Sequence, residues 1–197
     1  MEILNNYTYT ISLLLLLCVC LPSCTVTASN SRGKSQEDTF TCPGSPAWKH
    51  ASCKMIIKFQ NTPCSTVQSE ISLRLTSPSW IDPHNQGVYT QLEQSSDSKG
   101  GSLIKGQRLT GNQKYTDLFA FSLKPDSDGS GCHVSACSES QVFSILDFST
   151  NYCNLRNLYC NSADGCVPVQ YDLAYEEEYT QCGQNKKADC IVLVDES

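Results

Sequence analysis

Hydrophobic and polar residues alternate through much of the middle of the chain. Met55, Ile57 and Phe59 fall on one side of the segment 54–59. In 67–75, Val67, Ile71, Leu73 and Leu75 take one face, and Gln68, Glu70, Ser72 and Arg74 take the other. Phe119, Phe121 and Leu123 repeat the pattern, as do Val167, Val169, Tyr171 and Leu173. A period of two is the mark of a strand with one wet face. Val88–Leu92 and Ser102–Thr110 carry it less regularly. Between these runs lie Asp82-Pro83-His84-Asn85-Gln86-Gly87, Asp97-Ser98-Lys99-Gly100-Gly101 and Thr110-Gly111-Asn112. Proline presets φ and glycine admits positive φ, so these segments should turn. Strands joined by short turns predict an antiparallel meander.

The period changes after Cys137. Ser138-Glu139-Ser140-Gln141 has the spacing of a capping box, and Val142, Phe143, Ile145 and Leu146 follow it. A second start lies at Ser149 or Thr150, after which Tyr152, Leu155 and Tyr159 share a helical face. Asp164-Gly165 supplies a stop. The spacing predicts one kinked helix or two short ones over 138–160. The expected fold class is therefore α+β: an antiparallel β-meander with a short disulfide-tethered helix or helix pair packed on it.

Cysteine usage adds a constraint that periodicity does not. Ile11–Leu21 is an apolar run too short to span a bilayer, which takes about 20 residues. It matches the apolar core of a signal peptide, with Val26-Thr27-Ala28 as cleavage site, although the segment before it holds Glu2 and no Lys or Arg. Retention of the run as an anchor is the competing reading. The expected organisation is a signal peptide at 1–28, a polar flexible spacer at 29–41 and one disulfide-rich domain at 42–197. Of 13 cysteines, Cys18, Cys20 and Cys24 belong to the leader. The others are Cys42, Cys53, Cys64, Cys132, Cys137, Cys153, Cys160, Cys166, Cys182 and Cys190. An even set in an exported chain predicts a full disulfide framework. Zinc spacing is absent from it. In an intact helix Cys153 and Cys160 would stand about 10.5 Å apart. A disulfide needs Cα atoms within about 7 Å, so each should bond a different partner.

Charge narrows the partners. The chain carries a net charge of −6, which disfavours nucleic acid and anionic membrane surfaces. The sequence implies no metal, no cofactor and no stable membrane anchor once the leader is cut. The acidic run Glu176-Glu177-Glu178 lacks a calcium-loop pattern and reads as a solvated loop. Tyr171, Tyr175 and Tyr179 around it would make a packing stripe if helical.

Three histidines are present, and His84 is the one with suggestive neighbours. Trp80, Asp82, His84 and Tyr89 compose a candidate binding set on one loop. The bland alternative is a turn shaped by its Pro and Asn. No Gly-x-Ser-x-Gly elbow or phosphate-loop spacing occurs. The carboxylates Asp117, Glu139 and Asp147 could meet in space, but the sequence does not single them out. The expectation is a secreted, non-enzymatic extracellular domain that binds a protein or glycan. The alternatives are a small hydrolase using His84 with a carboxylate, or a carrier of an apolar ligand.

Overall fold

The computed structural model describes residues 40–191. The expected signal peptide and nearly all of the expected spacer lie outside the described residues.

Six strands form one antiparallel sheet: β1 Ser52–Phe59, β2 Val88–Ser96, β3 Ser102–Leu109, β4 Thr116–Pro125, β5 Cys132–Ser140 and β6 Glu176–Cys182. Their spatial order is β2-β3-β4-β5-β1-β6. Strands β2 to β5 are the expected meander. β1 lies beside β5 in register Met55↔Ala136, and β6 adds to the outer side of β1. Because β1 and the sheet's far edge, β2, are consecutive in the chain, their connection must cross the sheet. Helix α1, Cys64–Thr76, makes that crossing. Helix α2, Thr150–Arg156, packs on β5, β1 and β4. The architecture is α+β and disulfide-rich.

The core lies between the helices and one sheet face. Met55, Ile57 and Phe59 of β1, Ile104 of β3 and Phe119, Phe121 and Leu123 of β4 are all buried there. Each large side chain removed from water stabilises by about 1.5–3 kcal/mol. From α2 and its continuation come Tyr152, Leu155 and Tyr159, as their shared face predicts. Rings fill the layer: Phe59 meets Tyr159 edge-on at 6.0 Å, and Phe119 meets Tyr89 at 5.7 Å.

Three expectations about elements fail for identifiable reasons. Segment 67–75 is helical, within α1, and not a strand. Its buried residues are Cys64, Val67, Glu70, Ile71, Arg74 and Leu75, a helical stripe that hydropathy missed because two members are charged. Glu70 and Arg74 are both buried and pair at 2.7 Å across one turn. Segment 138–140 ends β5 and does not open a helix. Its serines turn inward, where Ser138 Oγ donates to Asn151 and Ser140 Oγ to Asp117. Residues 167–173 hold no strand. The backbone N–H groups of Val169, Gln170 and Tyr171 donate to the Glu70 carboxylate at 2.8–2.9 Å, satisfied by a side chain instead of a ladder. The strand here is the acidic run itself, β6, so the tyrosines around it form no helical stripe.

All ten cysteines of the domain pair. The bridges are Cys42–Cys137, Cys53–Cys182, Cys64–Cys132, Cys153–Cys190 and Cys160–Cys166. Cys153 and Cys160 do take different partners. The first fastens α2 to the C-terminal segment, the second closes a short local loop, and Cys64–Cys132 ties α1 to the sheet.

Candidate functional site

The turn after α1 is built around Asp82. Its carboxylate accepts from Arg108 Nε at 3.0 Å and Nη2 at 2.5 Å. It also accepts from Asn157 Nδ2 at 2.9 Å and the backbone N–H of Gly87 at 3.1 Å. Arg108 Nη2 further donates to the His84 carbonyl and to Asn85 Oδ1. Gly87 lies flat against this guanidinium, and a Cβ there would come within 2.3 Å of it. The turn is thus a cover over a buried ion pair.

The four residues singled out by sequence are not brought to one place. Trp80, Asp82 and Tyr89 line a shallow cleft of about 380 Å³ beside the end of α1. There Trp80 sits edge-on to Tyr89 at 5.7 Å, and its Nε1 donates to the Val167 carbonyl. Tyr89 is buried with its hydroxyl on the Asn154 carbonyl at 3.1 Å, and that burial drives its pKa well up. His84 turns into a different cleft. Its Nδ1–H donates to the Asp189 carbonyl at 2.7 Å, so Nε2 carries the lone pair facing Thr150 Oγ1 at 3.4 Å. Burial and then the Arg108 charge lower its pKa, outweighing Asp82 and Asp189. The ring is neutral, with both nitrogens engaged by the framework.

The cleft that His84 enters holds about 400 Å³. Its floor is polar. Asp117, from β4, accepts from Ser140 Oγ at 2.7 Å and from Asn154 Nδ2 at 2.8 Å. Asp147 accepts from the backbone and side-chain amides of Asn151 at 3.0 and 2.8 Å. Asn151 Nδ2 also donates to Ser140 Oγ, so one chain of hydrogen bonds joins the two carboxylates. The walls are apolar: Tyr115, Val142, Phe143, Leu146 and Phe148.

Apart from Tyr115, which precedes β4, those walls belong to the loop between β5 and α2, whose side chains point outward. Phe143 is 56 % exposed, Leu146 65 % and Phe148 71 %. Trp48, 86 % exposed, lies against Phe143 with ring centroids 5.5 Å apart. Such a set is not left in water by a slack loop. Its backbone is tied at both ends and the middle. Gln141 N–H donates to Thr116 O, Ser144 N–H to Lys49 O and Ala51 N–H to Ser144 Oγ. Gln184 Oε1 accepts from the N–H groups of both Asp147 and Phe148. Phe148 and Ser149 have φ of 50° and 65°. Left-handed backbone without glycine costs about 1–3 kcal/mol per residue and persists only where surroundings enforce it. Ser149 Oγ donates to Asp189 Oδ2 at 2.9 Å and accepts from Lys186 N–H at 3.1 Å. The Cys153–Cys190 bridge anchors the two segments that make this clasp.

Sequence reasoning placed Val142, Phe143, Ile145 and Leu146 in a helix, where such spacing means burial. The outward turn of these residues leaves no trace in hydropathy, and the strained pair Phe148-Ser149 contains no glycine to announce it. Among the described residues no group of three His, Cys, Asp or Glu side chains is placed to hold a metal ion. The run Glu176-Glu177-Glu178 is spread along β6, with Glu177 accepting from the hydroxyls of Tyr152 and Tyr159. No described helix is long and apolar enough to cross a membrane.

Comparison with known proteins adds little. No family model matches the chain, and no curated protein does. Among solved structures, an uncharacterized protein from Bacillus thuringiensis aligns over 56 % of this chain and 90 % of its own, at 11 % identity and a TM-score of 0.26. A likeness that weak carries no argument about function.

Proposed function

We propose that this chain is a secreted, non-enzymatic domain that binds a protein partner through the loop 142–148 and Trp48. One observation carries this reading: aromatic and aliphatic side chains held in water by a loop fixed in place along its length. Contiguous exposed apolar surface on a soluble domain marks an interaction site. Rigid aromatic anchors beside a pocket are the usual centre of a protein interface. A glycan site would use aromatic faces with polar groups, whereas Val142, Ile145 and Leu146 offer aliphatic surface that only an apolar counterpart matches. Five disulfides suit an oxidising, extracellular setting.

The test uses the purified chain and a variant carrying Phe143→Ser and Leu146→Ser, both screened against a panel of recombinant extracellular proteins and glycans. The variant should keep the native melting temperature, because both side chains are exposed. It should also lose the protein partner that the native chain binds. Equal retention by both, or retention of glycans alone, would remove the reading. So would turnover of a small substrate that disappears on His84→Ala.

A further inference from the structure

The docking surface described above has a hole in its middle, and the chemistry of that hole is one-sided. Its floor presents two carboxylates, Asp117 and Asp147, and none of the residues lining it is Lys or Arg. The partners of Asp117 are neutral, a serine hydroxyl and an asparagine amide. Each Asp117 oxygen accepts one bond and keeps a lone pair for a second donor. On Asp147 the two recorded bonds fall on Oδ2, and among the described residues nothing bonds Oδ1. Arg108 stands across the strand pair from Asp117 and feels its charge, but its ion pair is with Asp82, so one cation faces two carboxylates there and the balance stays negative. His84, at the cleft's edge, is neutral. The cleft is therefore an acceptor-rich, negatively charged cup with an apolar rim.

We propose that this cup receives a lysine or arginine side chain from the protein partner, an inference that rests on the docking reading given above. Such a side chain has the right two parts. Its methylene stem lies along apolar surface while its cationic head seeks acceptors. Here the stem passes Val142, Leu146 and Phe148, and the head reaches Asp117 and Asp147. The rings of Tyr115, Phe143 and Phe148 add faces that attract a cation. The source is a protein and not a free amine because the apolar surface continues past the cup. Trp48 and Ile145, 86 % and 59 % exposed, stand outside its lining. Only a macromolecule covers both the cup and this margin. The net charge of −6 supports the pairing by drawing basic partners toward the chain.

A displayed library of random peptides, panned on the full chain, tests the proposal without altering the buried floor. Selected peptides that the Phe143→Ser, Leu146→Ser variant fails to bind should carry a Lys or Arg flanked by apolar residues. A synthetic copy with that residue changed to norleucine should bind at least about tenfold more weakly, and a copy with Glu more weakly still. Affinity of the parent peptide should fall as salt rises. If the norleucine copy binds equally well, the basic side chain is wrong while the apolar docking surface stands. If no selected peptide depends on Phe143 and Leu146, the docking reading itself is wrong. If a free diamine displaces the peptide at the peptide's own affinity, the cup is a small-molecule site and the proposal fails. Asp147→Asn, judged by its melting temperature to be folded, should reproduce the norleucine effect on the protein side.

Discussion

Arg108 is fully buried in β3, and Asp82 takes two of its N–H groups. Removing one member of a buried pair leaves an uncompensated charge and costs about 3–5 kcal/mol. Asp82→Ala should therefore lower stability by about that amount in denaturant titration, and a loss within error would mean the pair is not closed. Gly87→Ala should destabilise too, since its Cβ has no room beside the guanidinium. His84 adds a pH dependence. Its folded pKa lies below the unfolded value of 6.5, through burial first and then Arg108. The unfolded chain thus binds the proton more readily. Its contribution is fully present above pH 6.5 and is lost as pH falls from there through the folded value. Stability of the native chain should decline as pH falls below 6.5, and His84→Gln should flatten the decline. A native chain equally stable above and below that pH would show that the ring is not held neutral. The turn at 82–87 was legible from its Pro, Asn and Gly. What it encloses was not, because Arg108 is distant in sequence and reads as a wet residue of a strand.

Helix α1 shows the same blindness one level up. With Glu70 and Arg74 scored as exposed, Val67, Ile71, Leu73 and Leu75 alternate like a strand. Once those two are known to be buried, the stripe is helical. A two-period reading cannot detect a charged pair that faces the core, whereas β1 and the Phe119–Leu123 stretch of β4, apolar on the inward face, were legible. Glu70 also holds the segment 169–171 by three backbone N–H groups. Burial alone would raise its pKa, but those donors and Arg74 outweigh it and hold it below the usual value of 4.5. Its contribution is thus present above 4.5 and lost as pH falls through the folded value. Glu70→Gln should strand Arg74 and loosen that segment, read as faster amide exchange at Val169, Gln170 and Tyr171. Unchanged exchange there would separate Glu70 from the loop. The bridges on the second helical segment differ in reach. Cys153–Cys190 spans 37 residues and Cys160–Cys166 only 6. Chain entropy then assigns them about 4 and about 2 kcal/mol. Cys153→Ser should lower stability in denaturant titration more than Cys160→Ser, and the opposite order would count against the clasp under the loop 142–148.

At the scale of the molecule, a single open sheet leaves two edges, and both present unpaired backbone. β2 closes one edge and β6 the other. An exposed edge strand is a template for pairing with a second chain unless something discourages it. On β6 the discouragement is charge. Glu176 and Glu178 are exposed, while Glu177 between them is used inward by Tyr152 and Tyr159. The acidic run is thus divided between an inner structural residue and two outer guards. The sequence showed its charge but not this division, which depends on the alternation that β1 imposes by pairing Lys58 with Glu176 and Ile57 with Glu177. Two copies meeting edge to edge would place like charges directly opposite one another, which destabilises a strand pair. Replacing both guards, Glu176→Thr with Glu178→Thr, removes that repulsion and adds residues that favour strands. The inner network keeps Glu177, so the fold should survive with its far-ultraviolet circular dichroism unchanged. Sedimentation velocity should then show the variant associating with rising concentration over a range in which the native chain sediments at a constant rate. Constant sedimentation by both would mean that the β6 edge is protected by its twist or by the Cys53–Cys182 bridge beside it and not by its charge.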